Sequence, residues 1–271
     1  MNEELLMELS DCGSPEGLAQ IIHTHIPPRK DGSTDLKTVA IAVGITKIES
    51  CDNPAYEGLL ITDAAKSKGI ILYNSNSNAL RKRFTVAHEL GHFLIPSHNG
   101  ENANCASSDL KAINSKSPNS KKEAEANRFA IELLAPKKQI NACLKPHREP
   151  DTQQILDIHT QFKISKEAAA RRYIECTDHS VAIVFGKIKT IRYVLRSNDF
   201  PYIIFNNGDI VPEHIWQQVN DKQSGDNIDW YSVDPHYFLS KPKDANGKEL
   251  FCQSSIQKNG FHMSLLSLDD E

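Results

Sequence analysis

The sequence predicts an α+β fold on three observations. Helical patterning dominates up to about residue 178. Strand-like patterning takes over from about residue 180. Between residues 83 and 96, "RFTVAHELGHFLIP" has a helical period and carries two histidines four apart, with a glutamate directly after the first. The expected organisation is a core over residues 1–150, a helical pair over 151–178 and a small strand-rich C-terminal domain over 179–271, with no internal repeat.

The elements follow in order. Residues 14–26, "SPEGLAQIIHTHI", predict a first helix with Ser14 as N-cap and Pro15 at the first helical position. Glu16 adds a negative charge to the first turn, where the helix dipole favours it. "PPRKDGST" is a loop, and "DLKTVAIAVGI" a short helix ending near Gly44. "GLLIT" (58–62) and "GIILY" (69–73) predict two strands around a polar turn. Residues 97–120 are rich in Ser, Asn and Lys and predict a long polar loop. A strong helix follows from about 121 to 135, stopped by Pro136. Residues 151–176 predict two helices broken at "FKIS", with Ser165 as a cap. "VAIVF", "IRYVL" and "YIIF" then predict strands, and "NNGD" a turn.

Composition narrows the function classes. With 39% hydrophobic and 24% charged residues the chain can bury a sizeable core and is not of a disordered type. A net charge of -4 argues against a surface given over wholly to nucleic acid. No apolar run reaches the roughly 18 residues of a membrane span, and the acidic start "MNEELLMELS" lacks a signal-peptide layout. The six cysteines are scattered without a CxxC pair, so free thiols in a reducing cytoplasm are expected.

The chemistry concentrates at His88, Glu89 and His92. Residues four apart on a helix project about 40° from one another, so both imidazoles can chelate one tetrahedral ion. Glu89 stands at the edge of that face, placed to take a proton from water rather than to bind the metal. The rest of the helix is apolar or small, so these polar groups need partners to be buried. A catalytic zinc usually has three protein ligands and one open position. The next helix, "EAEANRFAIELLAP", offers Glu123, Glu125 and Glu132. Ala126, Phe129, Ala130, Leu133 and Leu134 form its apolar stripe. Glu123 projects onto the border of that stripe with Asn127 one turn later. Glu125 and Glu132 project to the far side with Arg128, toward water. Glu123 is therefore favoured as third ligand, with Glu125 the rival and a border carboxylate paired to a lysine the bland reading. Asn127 is placed to hydrogen-bond a ligand histidine.

"RFTVAHELGH" followed by "EAEANRFAIELLAP" resembles the ImmA/IrrE family of zinc metallopeptidases, a gluzincin branch. His88, Glu89, His92, Glu123 and Asn127 match its H-E-x-x-H plus E-x-x-x-N pattern, and the match spans about residues 30–136. "VAIVF…IRYVLRSNDFPY" is similar, more weakly, to the region after the protease core. Ala135 stands where a methionine is common. The resemblance implies a zincin-like core and a site-specific endopeptidase. Its substrate would be a transcriptional repressor with a helix-turn-helix domain, whose cleavage relieves repression of stress-response or mobile-element genes. His88, His92 and Glu123 would hold Zn2+, and Glu89 would serve as general base. His98, Tyr73 and Arg83 are candidates for stabilising the oxyanion, by proximity in sequence only. "GIILY" is a candidate edge strand that could accept an extended substrate, against a plain internal strand.

A rival of another class remains. Residues 151–175 resemble a helix-turn-helix, with Ile155, Ile158, Phe162 and Ile164 as core and Lys163, Lys166, Arg171 and Arg172 as basic face. On that reading the chain is a DNA-binding regulator with a structural or vestigial metal site. The bland reading is a packed helical pair with solvated charges. Glu89 favours the enzyme, because a structural metal site does not need it. Lys111, Lys116, Lys121 and Lys122 read as a solvated loop, His147, His159 and His179 lack ligand spacing, and Cys105 reads as a bystander thiol rather than a metal mask.

Overall fold

The computed structural model describes residues 3–52, 56–98, 104–105, 118–144, 149–245 and 247–269. Lys111, Lys116 and His147, and the Cys105 side chain, lie outside what is described. The chain forms two compact units, Met1–Gln139 with His159–Ser165, and Ile140–Ile158 with Lys166–Glu271. Helices and two separate sheets give an α+β fold, as the sequence patterning predicts.

The first unit opens with α1 (Glu3–Ser10), which the sequence reading leaves unassigned; Leu5 and Leu9, one turn apart, are its buried residues. Helix α2 (Pro15–His25) starts at Ser14, whose hydroxyl accepts from Gly17 N at 3.1 Å, the expected cap. Helix α3 (Leu36–Val43) is capped by Asp35 and ends at Gly44 in the left-handed region, φ 107°. Strands β1 (Ile45–Cys51), β2 (Gly58–Thr62) and β3 (Gly69–Asn74) follow, then α4 (Ala79–Leu94), the short β4 (Asn104–Cys105) and α5 (Pro118–Leu134). The sheet order is β1-β3-β2-β4. β3 runs parallel to β1 and antiparallel to β2, so "GIILY" is an internal strand and not an edge. β1 escapes the sequence reading because only Ile45 in it is buried, which leaves no alternation to detect.

Helix α5 buries the expected stripe, Ala126, Phe129, Ala130, Leu133 and Leu134. Its last turn leaves carbonyls without helical partners. The Thr34 hydroxyl donates to Leu133 O at 2.6 Å, and His23 Nε2 lies 3.0 Å from the same oxygen. At the far end of α4, Lys66 Nζ donates to His92 O at 2.7 Å, a cation against a helix C-terminus. Both site-bearing helices are thus tied at their C-terminal ends.

α6 (Lys137–Leu144), α7 (Thr152–Phe162) and α8 (Lys166–Cys176) come next, with the α7–α8 break at the predicted "FKIS". The second unit carries β5 (Val181–Lys187), β6 (Thr190–Arg196), α9 (Glu213–Val219), β7 (Asn227–Val233), β8 (Glu249–Ile256) and β9 (Phe261–Asp269). They form an antiparallel sheet in the order β6-β5-β9-β8-β7. "VAIVF" and "IRYVL" are strands as expected. "YIIF" is not: Tyr202 and Ile204 are exposed, and only Ile203 bridges, to Leu239. The sheet packs on Val184, Phe200, Ile215, Phe238, Leu250 and Leu266. No described helix is long and apolar enough to cross a membrane, and Cys12, Cys51 and Cys252 are free thiols.

Candidate metal centre

Helix α4 presents the first part of the site. Its N-cap is Asn78, which accepts from Arg81 N. From Thr85 to Phe93 every residue is buried, His88, Glu89 and His92 among them. Such a segment is sustainable only if its polar groups find partners. Helix α5 supplies them. Gly91 lets the two helices approach closely: a Cβ there would lie 3.0 Å from Phe129 Cδ1 and 3.2 Å from Ala126 Cα.

At this crossing His88 Nε2 lies 3.1 Å from Glu123 Oε2 and 3.1 Å from His92 Nε2, and His92 Nε2 lies 3.3 Å from Glu123 Oε1. His88, His92 and Glu123 form a buried group that could hold a metal ion, with one donor atom from each within 4.8 Å of the others. Zinc donors at about 2.0–2.1 Å and tetrahedral angles stand about 3.3 Å apart. The observed spacing fits that, as does the chemistry of two imidazoles and a carboxylate. Burial works against charge on Glu123, but its hydrogen bonds to His88 and His92 outweigh it and hold the carboxyl at about 2. Burial also lowers the pKa of His88, which keeps its ring in the neutral form a metal requires.

The surrounding contacts complete the picture. His88 Nδ1 lies 3.0 Å from Asn127 Oδ1. His92 Nδ1 lies 3.0 Å from His98 Nδ1, and His98 Nε2 lies 3.1 Å from Glu125 Oε2. Glu125 therefore does not project into water as helical projection alone suggests. The chain leaves α4 through a 3₁₀ turn at Pro96–His98 and returns the His98 ring to meet it. Burial pulls the pKa of His98 down to about 4. Neither His98 nor Glu125 was assigned this part by sequence spacing, since a contact through a turn carries no periodic signal.

Glu89 is fully buried on the β2 side of α4. A Cβ on Gly58 would collide with Glu89 Oε1 and stand 2.5 Å from Thr85 Cγ2, so glycine is what lets β2 pass this close to the carboxylate. Tyr73 is the register partner of Gly58, which puts it on the same face of the sheet, with Lys82 Nζ 5.8 Å from its ring centroid. Arg83 instead donates to Thr34 O at 3.1 Å, and both ring nitrogens of His98 are engaged.

Three of the basic residues at α7–α8 have partners within the protein, although Arg171 is itself exposed. Lys163 Nζ pairs with Asp31 Oδ2 at 2.7 Å. Arg172 is buried and pairs with Glu175 at 2.9 Å, and Arg171 lies 5.6 Å from the Tyr193 ring centroid. Ile155, Ile158, Phe162 and Ile164 are all buried.

Comparisons with known proteins bear on this geometry. The family model for the IrrE N-terminal-like domain of the M78 peptidases matches residues 44–173, a span that contains every residue of the centre. No curated protein matches the chain. A solved structure named a Mycobacterium tuberculosis transcriptional regulator is similar in fold, with a TM-score of 0.56 at 13% identity, over 98% of this chain and 81% of that one. Residues 44–173 thus carry an IrrE N-terminal-like domain of the M78 peptidase type.

Proposed function

We propose that the chain is a zinc-dependent endopeptidase that cuts a protein substrate at one site. The substrate class it fits is a transcriptional repressor with a helix-turn-helix domain, so that cleavage relieves repression of stress-response or mobile-element genes. The observation that carries this reading is the buried His88–His92–Glu123 group with Glu89 beside it, inside a peptidase-family domain. His88, His92 and Glu123 would hold the metal. When bound, zinc supplies Lewis acidity, which acidifies a water and polarises the scissile carbonyl.

The chain's own residues do the rest. Glu89 accepts the proton of the attacking water and delivers it to the leaving amine. Gly58 leaves room for that carboxylate beside β2. Asn127 Oδ1 accepts from His88 Nδ1–H, which would leave Nε2 to the metal when one is bound. Of the three groups near in sequence that could stabilise an oxyanion, Tyr73 keeps its phenol uncommitted among the described residues, while His98 and Arg83 are engaged. The burial of Arg172, paired with Glu175, supports the enzyme over a DNA-binding regulator, because it takes one cation of the basic face away from a duplex.

The test is to incubate the zinc-loaded chain with the helix-turn-helix repressor encoded nearest its gene and map the products by mass spectrometry. A single chelator-sensitive cut is expected. An intact repressor, with duplex DNA bound by the chain instead, would replace this reading with the regulator.

A further inference from the structure

The metal-facing histidines are oriented by different devices. His88 meets a neutral amide, Asn127. His92 meets a second imidazole, His98, which meets a carboxylate, Glu125. Only one proton fits between His92 Nδ1 and His98 Nδ1 at 3.0 Å. Suppose it belonged to His98. Then His92 would carry its own proton on Nε2, aimed at His88 and Glu123. The bare His98 Nε2 would face the Glu125 carboxylate at 3.1 Å, two acceptors opposed in a poorly solvated place. With a metal ion on His92 Nε2, the reverse arrangement satisfies every atom of the relay. His98 Nε2–H donates to Glu125 Oε2, His98 Nδ1 accepts from His92 Nδ1–H, and His92 Nε2 is left bare for a metal. Among the described residues, the other Glu125 oxygen faces exposed Lys121, at 3.8 Å.

We propose that Glu125 and His98 are positioning residues, a hydrogen-bonded relay that locks His92 in the metal-binding tautomer and raises its basicity. The proposal rests on the zinc reading above and deepens it. A carboxylate at the end of the chain favours positive charge on His98 and so pulls its lone pair onto the His92 N–H. A metal-ligand histidine backed in this way is a stronger donor than one backed by an amide. The relay is compact in sequence: residues 88–98 and 123–127 supply the donors, the amide and the relay itself.

The test uses the full chain and Zn2+ itself. In zinc-loaded wild type labelled with 15N-histidine, long-range 1H–15N spectra are expected to place the proton on Nδ1 of His92 and Nε2 of His98. Zinc affinity, measured by competition with a chelator, is expected to fall about 10–100-fold in Glu125→Ala. Glu125→Gln, whose amide oxygen still accepts from His98, should lose less, and Lys121→Ala should match wild type. A proton on Nδ1 of His98, or Glu125→Ala with wild-type affinity, overturns the relay. The spectra decide the matter even where a variant does not fold. A wild-type chain that takes no zinc overturns the peptidase reading and the relay with it; a zinc-binding wild type with unmoved variants overturns the relay alone.

Discussion

The two units bury polar groups in contrasting ways. In the first, α4 and α5 bury His88, His92, His98, Glu89 and Glu123, and the donor atoms of three of them converge. In the second, β8 and β9 bury Ser254 and Ser264, and these tie each other off: Ser254 Oγ lies 2.8 Å from Ser264 Oγ. Hydroxyl pairs of that kind satisfy a sheet interior and leave nothing for chemistry. The convergent group could hold a metal ion. The lesson is that burial of polar residues marks a functional site only where their donors point at a common centre.

That contrast can be broken by substitution. In the first unit, Glu89→Gln should cut peptide hydrolysis by about 10²–10⁴-fold, because an amide cannot accept the water proton. Zinc content and melting temperature should stay close to wild type; hydrolysis that survives the change would remove Glu89 from the mechanism. In the second unit, Phe200→Ala deletes a buried ring and should cost about 3–5 kcal/mol in denaturant unfolding. Zinc stoichiometry should not change, and a loss of metal in this variant would contradict the separation drawn here.

Gly58→Ala sharpens the picture within the first unit. The added Cβ displaces the Glu89 carboxylate, and misplacement of a reacting group by about 1 Å can cost about 100-fold. Activity should therefore fall much more than stability, and equal losses in both would mean that Gly58 serves only packing.

A smaller effect comes from acid. The pKa of His88 is lowered, and that of His98 lies at about 4 against an ordinary 6.5. Below pH 6.5 the unfolded chain therefore binds protons that the fold refuses, so stability falls with pH through the window from 6.5 to 4. Glu123 extends the loss. Its carboxyl, at about 2 in the fold against 4.5 ordinarily, gives stability that is present above 4.5 and fades as pH falls toward 2. The metal-free chain should melt progressively lower from pH 7 to pH 4. A flat profile would show these groups to be solvated.

How much of this is legible in the sequence follows from locality. His88, Glu89, His92, Glu123 and Asn127 could be chosen because helical periodicity projects residues onto faces, and two buried faces that each carry donors have few ways to meet. The Ser14 cap and the Gly44 stop were legible for the same local reason. The Glu125–His98 contact was not, since it depends on a 3₁₀ turn that no period encodes. Nor were β8 and β9, where serines on buried faces blur the alternation. "YIIF" misled in the opposite way: β-branched and aromatic residues give strand propensity, but Tyr202 and Ile204 stay exposed and the segment forms a single bridge at Ile203.

The central claim is that one zinc is held by His88, His92 and Glu123. Its most direct test is metal stoichiometry of the purified full chain, measured at saturating zinc and then after desalting. One zinc per chain is expected in wild type and in Glu125→Ala, and none in Glu123→Ala. A Glu123→Ala variant that keeps its zinc while Glu125→Ala loses it, or a wild type that holds none, would contradict the account.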